Sequence, residues 1–133
     1  MSIQLARSRV PVVRIAQVLL GFLCFVFGIN GLLQLFPLPS AEGKAAEFFG
    51  GLAASGYFFP LLFVTYTLTG TALMLGRFVP LALTVLAPIM VNIVAIHVFI
   101  DPTGVPLAVL VVALEIFLAW SYRAVFRPLL RAR

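Results

Sequence analysis

Charge is what this sequence has least of. Asp, Glu, Lys and Arg make up 10% of its 133 residues, where a soluble domain carries about 25%. Cysteine occurs once, at Cys24, which excludes a disulfide framework and a Cys-x-x-Cys redox pair. Cys24 lies deep in an apolar run and reads as a packing residue. Histidine also occurs once. One His and one embedded Glu are too few for a zinc or haem site. No nucleotide-binding loop, metalloprotease helix motif or hydrolase elbow occurs, and no DNA- or RNA-binding motif. These gaps leave no catalytic set and no nucleic-acid partner.

Apolar residues fill the space, at 63% of the chain. A chain of this length cannot hide so much apolar surface, since a domain of ~150 residues buries only about 70% of what it exposes unfolded. The remainder faces lipid. Thirteen of the seventeen aromatics are Phe, which brings no polar handle into the bilayer. Four apolar segments stand out, over about 12–36, 57–76, 79–100 and 105–122. Each approaches the ~20 residues that cross a ~30 Å hydrocarbon core as a helix. Strands would be shorter and would alternate, and unpaired backbone is too costly in lipid. The first segment follows Arg7, Arg9 and Arg14, as in a signal peptide, but outruns an h-region of ~7–15 residues. It reads as a retained span.

The connections set the topology. Residues 37–56 form the only long one, and 41–54 within it predict a short helix, with Ser40 as its cap and Gly43 a weak point. Phe48, Phe49 and Leu52 fall on one side of that helix, so it is expected to lie at the membrane interface. A tight turn around Arg77 and the stretch 101–104 join the remaining spans, which makes them antiparallel neighbours. The expected fold is therefore all-α: one membrane domain over 1–133, an antiparallel four-helix bundle with one interfacial helix. With four spans, eight of the nine bases fall on one side: Arg7, Arg9, Arg14, Arg77, Arg123, Arg127, Arg131 and Arg133. Only Lys44 lies opposite. Bases accumulate on the cytoplasmic side, so both ends are expected there. Trp120 and Tyr122 become inner interface anchors and Tyr57 an outer one. The basic tail suits anionic lipid headgroups.

Polar groups inside the spans carry the functional question, because they are costly there. The set is Asn30, Thr65, Tyr66, Thr67, Thr69, Asn92, His97 and Glu115. Glu115 is the sharpest, about ten residues into the fourth span. Asn92 reaches a similar depth on the neighbouring helix, which predicts a hydrogen bond between them. Asn30, Tyr66, Asn92, His97 and Glu115 would then form a polar cluster in the outer half of the bundle. Two readings stay open: a small-molecule or proton site, or hydrogen bonds that only join helices, each worth ~0.6–2 kcal/mol. Pro88 removes a backbone bond, frees the carbonyl of Thr84 and predicts a kink. Gly21 and Gly28 on the first helix, and Ala72 and Gly76 on the second, offer small faces for close helix approach.

The run over 76–100, with Arg77, Pro80, Pro88, Asn92 and His97 in place, resembles the third-helix signature of the DoxX-like membrane proteins. Residues 27–30, Gly56 before Tyr57, Gly70, and 118–123 add weaker matches, so the resemblance covers nearly the whole chain. Many members carry a Glu where this chain has Tyr66, and a Lys where it has Gly31. The resemblance implies a compact four-helix protein of the bacterial inner membrane, with Gly70, Pro80 and Pro88 as structural positions. It further implies an accessory subunit of a membrane redox complex, with a quinone as cofactor, rather than an enzyme by itself. Two other roles stand beside it: a small proton-coupled carrier using Glu115, and an assembly partner without chemistry. A membrane protein partner or a second copy of the chain fits each of them.

Overall fold

A computed structural model describes residues 2–132, with side chains from residue 11 onward. The side chains of Arg7 and Arg9, and Arg133 as a whole, lie outside the described residues. Six α-helices follow in order: α1 (Ser2–Leu33), α2 (Gly43–Ala54), α3 (Phe58–Leu75), α4 (Val79–Phe99), α5 (Val105–Ser121) and the short α6 (Arg123–Phe126). Single 3-10 turns occur at Pro102–Gly104 and Arg127–Leu130. No strand occurs among the described residues. Four segments are long and apolar enough to cross a membrane: Pro11–Leu33, Phe58–Leu75, Val79–Phe99 and Pro102–Ser121. At most 33% of any of them is buried within the molecule. Phe22, Leu68, Leu81, Val91 and Ile116 all point outward. So large an apolar exterior needs an apolar surrounding, and the chain is a multi-pass membrane protein.

The α1–α3 contact is the tightest in the fold, and glycine makes it possible. A Cβ on Gly70 would sit 2.5 Å from the backbone nitrogen of Phe25 and 2.6 Å from the carbonyl oxygen of Gly21. A Cβ on Gly28 would collide with Thr67. Gly21 meets Leu73 and Met74, Gly28 meets Phe63 and Thr67, and Gly31 meets Phe63. Along this contact the residue numbers rise on α1 as they fall on α3. The expected role of Gly21 and Gly28 in close packing is therefore played against α3. Gly76 has a second role beside the one expected. It adopts φ +69° and ends α3, its N–H donating to Leu73 while the N–H of Arg77 donates to Ala72. This is a glycine-terminated helix end, and the same glycine also lies against Arg14 and Gln17 of α1.

Other boundaries also differ from the expected ones. α1 stops at Leu33 rather than at 36, because Gln34 turns to φ +52° and Asn30 binds the backbone of Phe36. α2 begins at Gly43, and Glu42 precedes it without a side-chain cap, so Ser40 is not its cap. α2 turns Ala45, Phe49 and Leu52 inward, while Phe48 points out. Pro80 sits in the first turn of α4, where a missing N–H costs nothing. α4 continues through Pro88 without a break.

The core is a leucine layer between the helices. Leu20, Leu73, Leu83, Leu86 and Leu118 are fully buried, with Ala16, Val79, Ala82 and Met90 around them. At one end of this layer, side chains of α1 reach the last carbonyl oxygens of α3. Arg14 donates to the carbonyl of Met74 at 2.7 Å, and Gln17 donates to that of Leu73 at 2.7 Å. The hydroxyl of Tyr122 donates to Gln17 Oε1 at 2.9 Å. One polar knot thus joins α1, α3 and the end of α5.

Candidate functional site

On the other side of the leucine layer the helices part around a cavity of about 450 Å3. Its wall is almost wholly apolar, with Phe27 from α1, Phe49 from α2, Phe59 and Leu62 from α3, Ile93 from α4 and Leu107 from α5 among the lining residues. This volume is within the ~300–1,000 Å3 of small-molecule sites. Phe59 stacks on Phe63, with ring centroids 5.7 Å apart, and both rings line it. At its outer end lie Leu38, Pro39, Asp101, Thr103 and Gly104, from the α1–α2 and α4–α5 connections. Lys44 donates to the carbonyl of Phe99 at 3.0 Å, which fastens α2 to the end of α4. Toward Arg14 and Tyr122 the fully buried Leu20, Leu73 and Leu118 close the interior.

The polar residues expected to converge divide into two groups. Tyr66 and His97 line the cavity. The His97 Nδ1 lies 2.7 Å from the carbonyl of Ile93 in its own helix, and a neutral ring with that N–H donating presents Nε2 as an acceptor. That nitrogen packs so closely on Gly104 that a Cβ there would collide with it. Glu115 is 6% exposed, and its Oε2 is buried with no hydrogen-bond partner. It continues the α5 stripe of Leu107 and Val111, both of which line the cavity, one turn further inward. Cys24 lines the cavity as well.

Asn30 and Asn92 stand apart from this group. Asn30 is buried, and its Oδ1 accepts the N–H of Phe36 at 2.8 Å. It orders the exit from α1 and does not line the cavity. Asn92 is exposed and donates to the carbonyl of Pro88 at 3.0 Å, back along its own helix. The expected bond between Asn92 and Glu115 is not formed. Equal depth places two residues at one level but does not turn them toward each other. Thr65, Thr67, Thr69 and Thr71 likewise bind the carbonyls four residues back in α3. Such bonds satisfy a hydroxyl inside the helix that carries it.

Charge around the site is one-sided. Asp101 caps the 3-10 turn, accepting from Thr103 Oγ1 at 2.6 Å and Thr103 N at 3.0 Å. These bonds, the side-chain one above all, hold its carboxyl below the usual aspartate range. Among the described residues, no lysine or arginine lines the cavity. Arg14 is held at the opposite end by Met74, and Arg123 lies 5.0 Å over the ring of Trp120. Trp120 is 68% exposed, as an interface anchor would be, whereas Tyr122 spends its hydroxyl inside the bundle on Gln17.

Two contributions escaped the sequence reading. Gln17 was not among the polar residues singled out, although it is buried and bridges α3 to Tyr122. Its seven-residue spacing from Cys24, two turns along one face of α1, was the available signal. Cys24 packs in the buried core, as expected, and its part in the cavity wall with Tyr66 is what the sequence did not indicate. Compared with family models, with curated proteins and with solved structures, the chain matches none.

Proposed function

We propose that this chain holds a small apolar molecule between its membrane-spanning helices. The cavity carries the reading: about 450 Å3, walled by rings and branched side chains, with a few polar groups at defined points. That is the composition of a ligand site. In this reading the four spans form an antiparallel bundle, supported by the opposite run of residue numbers along the α1–α3 contact. Arg14, the α3–α4 turn and Tyr122 gather at one end, which supports placing both chain ends on the cytoplasmic side of the bacterial inner membrane. α2 then lies at the outer interface, with Phe49 turned onto the cavity and Lys44 anchored on Phe99.

The resemblance to the DoxX-like proteins supplies a setting, an accessory subunit of a quinone-linked redox complex, in which the bound molecule is brought to a partner enzyme. A carrier would need the same cavity to open at the other end, where Leu20, Leu73 and Leu118 close it, so holding is the better-supported action. Ala108 is buried and lines the cavity. Purification of the wild type and of Ala108→Phe from native membranes, with extraction and mass spectrometry of bound apolar compounds, tests the reading. The wild type is expected to carry one compound near equimolar amounts, and the filled variant to lose it. Equal or absent extracts from two well-folded samples would refute it.

A further inference from the structure

We infer that the molecule held here is a lipophilic amine, with its protonated nitrogen donating to Glu115. The inference rests on the reading that the cavity takes an apolar occupant, and it names the occupant's polar end. Three observations carry it. The first is the Glu115 carboxyl, 6% exposed, with Oε2 buried and unpartnered. A buried carboxylate without a partner is strongly unfavourable, and a charged donor brought by the ligand relieves it. The second is the position of Glu115 one helical turn beyond Val111, where the α5 part of the cavity wall ends. It follows Leu107 and Val111 on the α5 stripe.

The third is the balance of groups around the occupant. A second carboxylate, Asp101, stands at the outer end, and among the described residues no lysine or arginine lines the cavity. His97 turns an acceptor nitrogen toward Gly104 when its other nitrogen donates to Ile93. The charged groups at the site are thus acceptors. An anion such as a fatty acid meets carboxylates at both ends. A quinone in its oxidised form brings only acceptors and leaves Glu115 unpaired. A hydrophobic body with an ammonium group satisfies the carboxyl at the inner end and the apolar wall along its length.

The test uses the full chain in phosphatidylcholine nanodiscs, with tritiated dodecylamine counted above empty nanodiscs. Dodecan-1-ol and dodecanoate serve as competitors of the same chain length. Saturable binding of one dodecylamine per chain is expected. Dodecan-1-ol should compete at least about tenfold more weakly, about 1.4 kcal/mol, and dodecanoate should compete less still. Glu115→Gln, checked for its helical circular dichroism and monodisperse elution, should lose the preference for the amine over the alcohol. The competition series on the wild type decides the matter even if that variant misfolds. Equal competition by amine and alcohol, or an amine preference that survives in Glu115→Gln, overturns the amine assignment and leaves the apolar site standing. Absence of saturable binding by both overturns the site itself and the amine with it.

Discussion

Gln17 and Asn92 are both amides within membrane spans, and they have opposite consequences. Gln17 is 3% exposed and makes two bonds, to the Leu73 carbonyl and from the Tyr122 hydroxyl. Removing it leaves the Tyr122 hydroxyl without its acceptor and the Leu73 carbonyl with the Gly76 N–H alone, in a low-dielectric interior, at a cost of about 1–3 kcal/mol. Asn92 returns its only bond to its own helix from an exposed position. Gln17→Leu is therefore expected to lower the unfolding free energy by about 1–3 kcal/mol, and Asn92→Ala by less than about 0.5 kcal/mol. Unfolding in mixed dodecyl maltoside and dodecyl sulfate micelles measures both; the reverse order would remove Gln17 from the structural role assigned to it. At this scale the sequence was legible in part. Composition and burial cost pointed to Glu115, Tyr66 and His97, since a polar group in lipid needs a reason wherever it faces. Direction was not legible for Asn92, because depth along two helices fixes no rotation about either axis. Nor was the destination of Asn30, whose partner is a backbone N–H six residues on.

Helix pairing turns on where backbones approach. Gly70 is where the two main chains of the α1–α3 contact come closest, with a would-be Cβ 2.5 Å from Phe25 N and 2.6 Å from Gly21 O. Both obstacles are main chain, so no side chain can swing aside. Gly70→Leu is expected to push α1 off α3 and to destabilise by about 1–3 kcal/mol or more, the usual penalty of overpacking. Gly50→Leu on α2, where an added Cβ meets nothing within 4 Å, is the matched control. Similar melting of the two variants in detergent would mean that the glycine face is not what holds the pair. The four spans were readable from hydropathy because lipid imposes one requirement along their length. Helix ends were read less well. α1 was expected to run to 36, but its end is set by one left-handed residue, Gln34, and one side-chain bond from Asn30. Gly76 looked like half of a packing motif; it lies against Arg14 and Gln17 of α1 and is a helix terminator as well. A glycine suits both uses, and spacing alone does not separate them.

Taken whole, the molecule has two unlike ends. One gathers Arg14, Gln17, Tyr122 and the α3–α4 turn into a bonded knot. The other carries α2 with Lys44 bound to Phe99, the longest connection, and Asp101 and Thr103 in the cavity wall. If the basic end is cytoplasmic, Ser40→Cys is expected to react with a membrane-impermeant maleimide on intact spheroplasts. Leu129→Cys should react only after lysis. The opposite pattern inverts the orientation. Native Cys24 is 4% exposed and gives the background against which both are read. The leucine layer of Leu20, Leu73 and Leu118 has a further consequence for such a molecule. If the cavity holds a molecule as proposed, occupancy becomes a vectorial property: an occupant would exchange with the leaflet beside α2 and not with the opposite one. The protein would then sample the lipophilic contents of one monolayer and remain blind to the other.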